Sequence, residues 1–200
     1  MQAAARAPTR QRRVLALAAV LLVLLAAFLV VRQVTAEPPR SAECAAAEPG
    51  VRIDPAAVPE GPVAGYGGEQ LANAAAIVNA AEALGLDTCA QVVGVMTAMG
   101  ESSLRVLDRG DAAGPDSRGL FQQRDNGAWG SYADRMDPAT SATNFFLALQ
   151  EVPDWQALPP TIAAHRTQRN ADPYHYARYW DPAVEVVSTL AGRRVLDPGD

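Results

Sequence analysis

One carboxylate follows a strongly apolar segment of the sequence. Glu101 comes directly after residues 95–100, which include no charged residue. Apolar surroundings remove hydration from an ionised carboxylate, and the C-terminal end of a helix adds a negative potential, so we expect a raised pKa for Glu101. A carboxyl group that stays protonated near neutral pH is suited to general acid catalysis. The spacing alone also allows a solvated glutamate at a frayed helix end.

The residues after Glu101 form an ordered series of short motifs. Glu-Ser at 101–102 is followed by Asp-Ser-Arg-Gly-Leu-Phe-Gln-Gln-Arg at 116–124 and by Gly-Ala-Trp-Gly at 127–130. This series resembles the lysozyme-like superfamily, in particular its bacterial lytic-transglycosylase branch. It is also similar to a group of uncharacterised bacterial exported proteins that carry Gln-Glu-Ser, Asp-Ser-x-Gly-Leu-Phe-Gln-Gln-Arg and Gly-Trp-Gly motifs. The resemblance covers roughly residues 67–191.

The resemblance implies a cleft in which Glu101 acts on the glycan strands of peptidoglycan. In the opposite wall, Gly119 would let the backbone approach a sugar, and Ser117 would hydrogen-bond Glu101 or the sugar. Gln122 or Gln123 would bind an N-acetyl or hydroxyl group, since an amide offers both a donor and an acceptor. The expected substrate-binding residues are Ser117, Gly119, Gln122, Gln123, Trp129, Asn170 and Tyr174.

Several of these residues have a structural alternative. Trp129 could stack on a sugar face or belong to the core. Asn170 and Tyr174 match, loosely, the Asn-bearing turn and the Tyr that related transglycosylases place near the acid. They could equally belong to an aromatic cluster that seals the domain. Leu120 and Phe121 are expected to point into the core.

Two mechanisms remain open for Glu101. The resemblance implies that it protonates the glycosidic oxygen and later accepts a proton from the sugar's own 6-hydroxyl, which gives an anhydro product without water. A second carboxylate would favour hydrolysis, and Asp111 or Asp116 is best placed because both precede the glutamine pair. We expect no cofactor. A metal site is not expected either, because two cysteines and the distant His165 and His175 lack ligand spacing.

Two features depart from the related proteins. Residues 110–115 form a longer loop, and Gly100 replaces a larger polar residue before Glu101. Both changes touch the expected cleft and bear on substrate fit more than on the fold. Two other functions therefore stay open: a catalytically inactive peptidoglycan-binding module, and a partner-binding ectodomain of a cell-envelope assembly.

Helical spacing of apolar residues predicts the elements that position Glu101. A first helix spans residues 69–84 and ends at Gly85, and a second begins at Asp87 or Thr88. The second is apolar nearly all round, so it should lie in the core. The expected fold class is mainly α: a lysozyme-like, two-lobed helical domain with a small loop or β-hairpin insertion. Later helices are predicted from residue 138 through 149, over 161–168 and from about 182 to 190, with turns at 105–130.

The N-terminal segment predicts a membrane anchor. Residues 14–31 include no charged or polar residue, and as a helix they would extend about 27 Å, close to the hydrocarbon thickness of a bilayer. Four arginines precede this segment and should remain cytoplasmic. The alternative is a signal peptide cleaved after Ala36. We therefore expect a basic tail at 1–13, a transmembrane signal anchor at 14–31, a Pro/Ala/Glu-rich stalk at 32–66 and an extracytoplasmic domain at 67–200.

The net charge limits the classes of binding partner, and the cysteine content indicates the compartment. Residues 37–200 hold twelve arginines and twenty-two acidic residues, a net charge of −10, which argues against a nucleic-acid partner. Peptidoglycan, the membrane through the N-terminal helix, and cell-envelope proteins are the partners we expect. The two cysteines, Cys44 and Cys89, predict a disulfide outside the cytoplasm. Two unpaired thiols are the alternative.

Overall fold

The computed structural model describes residues 40–196, and in this range the chain forms six α-helices without a β-sheet. The predicted mainly α class is confirmed. The predicted cytoplasmic tail, the membrane segment and residues 32–39 of the predicted stalk lie outside the described residues. The helices are α1 Glu69–Ala83, α2 Thr88–Ser102, α3 Tyr132–Met136, α4 Pro138–Gln150, α5 Pro160–Gln168 and α6 Trp180–Leu190, with short 3-10 turns at Ala42–Cys44, Pro55–Ala57, Trp155–Ala157 and Ala177–Tyr179.

Helix α2 forms the centre of the domain and ends at the candidate acid. It packs against α1, α4, α5 and α6. Asp87 caps its N-terminus by accepting a 3.0 Å hydrogen bond from the Ala90 amide. Thirteen of its fifteen residues are buried, and the two exceptions are Gly100 and Glu101. The apolar pattern of this helix predicted its central position, and only its last turn opens to solvent.

Five of the six helices follow the predicted pattern, and α3 is the exception. The sequence predicts no helix over these five residues, because the segment follows the region of turns at residues 105–130 and is too short for an apolar period. A capping box starts it: the Ser131 hydroxyl accepts from the Asp134 amide at 3.2 Å, and the Asp134 carboxylate accepts from the Ser131 amide at 2.8 Å. Local hydrogen bonds thus define this helix.

Residues 40–66 differ from the predicted stalk, because they pack on the helical domain. Cys44 and Ile53 are buried, and Cys44 is joined to Cys89 by a disulfide. The side-chain amide of Asn79 in α1 accepts from the Ile53 backbone amide at 2.7 Å and donates to the Ile53 carbonyl at 2.9 Å. The composition of this segment is poor in large apolar residues, but a few anchors and side chain–backbone bonds are enough to fix it. The folded part therefore begins by residue 40.

The predicted loop or β-hairpin insertion in the middle of the chain is a loop that carries short antiparallel bridges. Leu107 pairs with Gly119 and Arg118 pairs with Gln123, each as an isolated bridge. Leu120 and Phe121 between them are fully buried, as predicted, and the Phe121 ring stacks on Phe145 with centroids 4.7 Å apart. These two side chains fasten the loop to the helices, which fixes the position of the polar residues on either side.

No helix within residues 40–196 combines the length and the apolar character needed to cross a bilayer.

Candidate functional site

A cleft of about 540 Å³ opens at the C-terminal end of α2. The floor is formed by Gly100 and Glu101, the two residues of this helix that are not buried. One wall comes from the loop after α2 and the other from the turn after α5. The lining residues are Gly100, Glu101, Leu107, Arg109, Gly110, Asp111, Ser117, Gln122, Asn170, Ala171, Asp172 and His175.

The carboxyl group of Glu101 is mostly buried and is held by a tyrosine. The fully buried Tyr176 donates its hydroxyl hydrogen bond to Glu101 Oε1. Burial raises the pKa of Glu101 above its usual value. Hydrogen bonds from Tyr176 and Gln168 and the charge of His175 act in the opposite direction, whereas the negative charge of Asp111 adds to the rise. The net effect favours a protonated carboxyl group in an open cleft.

Gly100 leaves room for the tyrosine that holds Glu101. A Cβ at this position would lie 2.7 Å from Tyr176 Cδ1 and 3.3 Å from Tyr179 Cε2. The ring of His175 packs edge-on against Tyr176, with centroids 4.9 Å apart, and its Nε2 lies 3.3 Å from the Gly100 carbonyl oxygen. Aromatic side chains occupy the space that the missing side chain of Gly100 leaves open. The glycine that replaces a larger residue at position 100 therefore helps to position Glu101, because it leaves space for Tyr176.

Two consecutive left-handed residues end α2 and turn the chain into the cleft wall. Ser103 has φ 53° and Leu104 has φ 60°, a conformation that non-glycine residues rarely adopt. Helix α1 supports them, because Gln70 Nε2 donates to the Ser103 carbonyl at 2.7 Å and Asn73 Nδ2 to the Leu104 carbonyl at 2.9 Å. Burial of Leu104 adds to this support. The chain thus leaves the helix one residue after Ser102.

Ser102 connects the helix end to the opposite wall. Its hydroxyl lies 2.8 Å from the Leu120 carbonyl and 3.1 Å from the Ala98 carbonyl. Gln168 in α5 donates to the neighbouring Phe121 carbonyl at 2.7 Å. Glu101 and the loop at 119–123 are therefore fixed relative to each other by a serine on one side and a glutamine on the other.

A buried arginine supports the loop from behind. Arg135 in α3 is 3% exposed and lies 3.1 Å from Asp125 Oδ1. Its guanidinium donates to the Asp116 carbonyl at 3.3 Å and, with weaker geometry, to the Gln123 carbonyl at 3.5 Å. Gly119 fits against the same helix, since a Cβ there would lie 1.8 Å from the Arg135 carbonyl oxygen. The close approach at Gly119 is thus to protein backbone, where sequence analysis expected a sugar.

Four of the expected substrate-binding and acidic residues meet Glu101 in the cleft: Ser117, Gln122, Asn170 and Asp111. Gln122 is held at φ 46°, with its side-chain amide 3.2 Å from the Gly119 carbonyl. The Oδ1 atom of Asn170 lies 2.6 Å from His165 Nδ1.

Besides Gly119, three of the expected substrate-binding residues do not line the cleft. Gln123 is 1% exposed and donates to the Ser141 carbonyl at 3.0 Å, so it supports the loop from inside. Trp129 is partly buried, and its carbonyl accepts from Asn144 Nδ2 at 3.1 Å. Tyr174 is 69% exposed and lies on the surface beside the cleft, whereas Tyr176, two residues later, reaches the acid.

The two candidate second carboxylates lie in different surroundings. Asp111 lines the cleft, and its Oδ1 accepts from the amides of Ala113 and Gly114 at 2.9 and 2.7 Å. Asp116 is not a cleft residue: it pairs with Arg124 at 2.5 Å and accepts from the Asp125 amide at 2.8 Å. The hydrogen bond from that amide lowers the pKa of Asp116. Of these two carboxylates, only Asp111 lines the cleft together with Glu101.

Sequence reasoning missed three residues of the site. Tyr176 was not predicted to contact Glu101, and the spacing of the two gives no signal because they are 75 positions apart in the sequence. His175 was dismissed as a metal ligand, and Arg109 was not considered. Within residues 40–196 no cluster of His, Cys, Asp and Glu side chains is arranged to hold a metal ion.

No protein-family model matches the sequence, and no curated protein matches it significantly. The functional interpretation therefore depends on the motifs of the chain and on the geometry of the cleft.

Proposed function

We propose that this protein is a lysozyme-like, peptidoglycan-cleaving enzyme in which Glu101 is the general acid and base. The observation that carries the proposal is a mostly buried carboxyl group, bonded to Tyr176, on the floor of an open cleft. The order of the motifs at residues 101–130 and their resemblance to lytic transglycosylases supply the substrate class. We take the helices around α2 and the loop at residues 105–130 as the two lobes on either side of a glycan strand.

The proposed reaction uses one carboxyl group twice. Protonated Glu101 donates its proton to the glycosidic oxygen as the C1–O bond breaks, and the leaving sugar departs with a new hydroxyl group. The Glu101 carboxylate then takes the proton of the muramyl 6-hydroxyl as that oxygen bonds to C1, which gives a 1,6-anhydro end. Atoms balance without water, and Glu101 returns to its protonated form. Tyr176 stabilises the carboxylate between the two steps by donating its hydrogen bond.

Asp111 is the group that could change the outcome to hydrolysis. If its carboxylate activated water, the product would carry a reducing end in place of the anhydro ring. Its Oδ1 is already bonded to two amides of its own loop, and this favours the anhydro product. Mass spectrometry of the digestion products distinguishes the two, because the anhydro ends are lighter by one water molecule.

The test is digestion of purified peptidoglycan by the full chain in detergent. We expect soluble muropeptides with anhydro ends from the parent protein and none from Glu101→Gln, because an amide cannot transfer the proton. Activity should also fall as the pH rises through the raised pKa of Glu101, since the ionised form cannot act as an acid. Glu151→Gln is the matched control: Glu151 is an exposed glutamate that follows α4, and its replacement should leave digestion unchanged. Equal activity of Glu101→Gln and the parent would contradict the assignment of the acid.

We also propose that the domain lies outside the cytoplasm, anchored through residues 14–31. The Cys44–Cys89 disulfide supports an oxidising compartment, and the apolar segment with its flanking arginines supports an anchor. Labelling of the full chain in intact cells with an impermeant reagent tests this location. Protection of the domain from such a reagent would contradict it.

A further inference from the structure

One cation in the cleft, Arg109, has no partner among the residues that the structure describes. Arg109 lines the cleft wall together with Asp111, in the loop after α2. Among residues 40–196 its guanidinium forms no ion pair and no hydrogen bond. An arginine without a partner in a concave site offers a planar set of five donors, which suits a carboxylate.

The acidic residues around Arg109 are already bound to other groups. Asp108, its neighbour in sequence, lies 3.0 Å from Arg118 Nε in an ion pair whose geometry is not that of a hydrogen bond. Asp111 accepts two amide hydrogen bonds from its own loop. Asp172, on the far wall, accepts from the Tyr174 amide at 2.9 Å. Within residues 40–196 none of these three carboxylates bonds Arg109, so its guanidinium is available to a ligand.

The charge of the whole domain makes this arrangement significant. Residues 37–200 carry a net charge of −10, so an acidic ligand meets a repulsive field on approach. A local positive group offsets that repulsion and favours an acidic ligand at the place where it lies. Arg109 is such a group, and it lies in the same cleft as Glu101.

We infer that Arg109 is a specificity-determining residue that binds a carboxylate of the ligand in the cleft. This inference rests on the proposed function, under which the ligand is a glycan that bears muramyl groups. Such a strand has two sources of carboxylate: the lactyl group when its stem peptide has been removed, and the peptide itself when it is present. A neutral N-acetylglucosamine oligomer has neither, so it should not sense Arg109.

The experiment measures binding to the full chain carrying Glu101→Gln, so that no ligand is cleaved. The three probes are an N-acetylglucosamine oligomer, glycan strands stripped of stem peptides, and strands that retain them. We compare the parent background with Arg109→Gln, Arg109→Lys and Arg166→Gln. Arg166 is the matched control, an exposed arginine in α5 that does not line the cleft.

We expect Arg109→Gln to weaken binding of at least one carboxylate-bearing strand by about tenfold, the usual range for loss of a charge-assisted hydrogen bond. Arg109→Lys should recover part of that affinity, and Arg166→Gln should change nothing. Affinity for the neutral oligomer should be the same in all variants. The strand that loses affinity identifies the source of the carboxylate: stripped strands indicate the lactyl group, and intact strands indicate the peptide.

Two other results would overturn the inference in distinguishable ways. If the strands bind but Arg109→Gln binds them as the parent does, or loses affinity for the neutral oligomer equally, Arg109 does not recognise a carboxylate and the proposed function stands. If neither strand nor oligomer binds at all, the proposed function fails and this inference fails with it.

Discussion

The two ends of helix α2 are built for opposite purposes. At its start, Cys89 is cross-linked to Cys44 and Asp87 both caps the helix and pairs with Arg40. At its end, about 18 Å away, Glu101 loses hydration in a cleft. The backbone of Ser103 and Leu104, which follow the helix, is in the left-handed conformation. The first end is closed by covalent and polar contacts, whereas the second leaves an ionisable group exposed to ligand.

The difference shows how one helix can tolerate an unfavourable site. Burying a carboxyl group and placing two non-glycine residues at positive φ both cost stability. The clamp at the start of α2, made of the disulfide and the bonds from residues 40–53, stabilises the same helix without touching the cleft. Changes at the start should therefore alter stability alone, and changes at the end should alter activity first.

The largest expected effect is at the clamp. Removing the disulfide with paired Cys44→Ala and Cys89→Ala substitutions should lower the free energy of unfolding by about 3–4 kcal/mol, because the bridge closes a long loop in the unfolded chain. Denaturant unfolding of the oxidised parent and the double variant measures this difference. At temperatures where both remain folded, digestion of peptidoglycan should be the same. Loss of activity without loss of stability would show that the two ends are coupled.

Two glycines inside α2 allow a second test of the difference between its ends, with an expected loss of stability of intermediate size. A Cβ at Gly94 would lie 2.5 Å from Phe146 Cζ, and a Cβ at Gly100 would lie 2.7 Å from Tyr176 Cδ1. We expect Gly94→Ala and Gly100→Ala each to cost about 1–3 kcal/mol by overpacking, less what alanine gains in a helix. Only Gly100→Ala should also displace Tyr176 and change the pH dependence of activity.

Thermal unfolding and a pH–rate profile distinguish the two variants. Gly94→Ala is the control, because its Cβ would clash to a similar degree with the core side chains of Phe146 and Ile77. Gly94 lies seven positions before Glu101 in the same helix. If both variants had the parent's pH profile at a temperature where they are folded, the space at Gly100 would serve packing alone.

Much of the helical framework could be predicted from the sequence, and the contacts of the site could not. The apolar surface of α2 and its Asp87 cap are local signals, so the helix and the position of Glu101 at its end follow from them. The hydrogen-bond partner of Glu101 is Tyr176. Long-range packing buries this tyrosine and leaves Tyr174 exposed, and the sequence gives no signal for that difference. The same limit explains the predicted stalk: residues 40–66 look unable to fold, yet Ile53 and Cys44 find partners in α1 and α2.

The smallest expected effect is a gain in stability at the functional end. In the parent, the raised pKa of Glu101 means that folding favours the protonated form. That contribution is fully present below the pKa of the unfolded chain and is lost as the pH rises through the folded pKa. Glu101→Gln cannot ionise, and its side-chain oxygen can still accept from Tyr176. At neutral pH this variant should therefore be more stable than the parent, by less than about 1 kcal/mol, or a Tm rise of about 2 °C.

Thermal unfolding across the pH range tests this gain and its sign. The difference in Tm between Glu101→Gln and the parent should be near zero at about pH 4, where a protonated carboxyl group resembles an amide, and should grow toward neutral pH. Glu151→Gln, at an exposed site, should show no such trend. A difference that is constant with pH would mean that folding leaves the pKa of Glu101 unchanged, and one that favours the parent increasingly toward neutral pH would mean that Glu101 is stabilised as a carboxylate. Glu101 would then stabilise the end of α2, as the polar contacts of Asp87 stabilise its start. The contrast between a stabilising clamp and a destabilised acid would not hold.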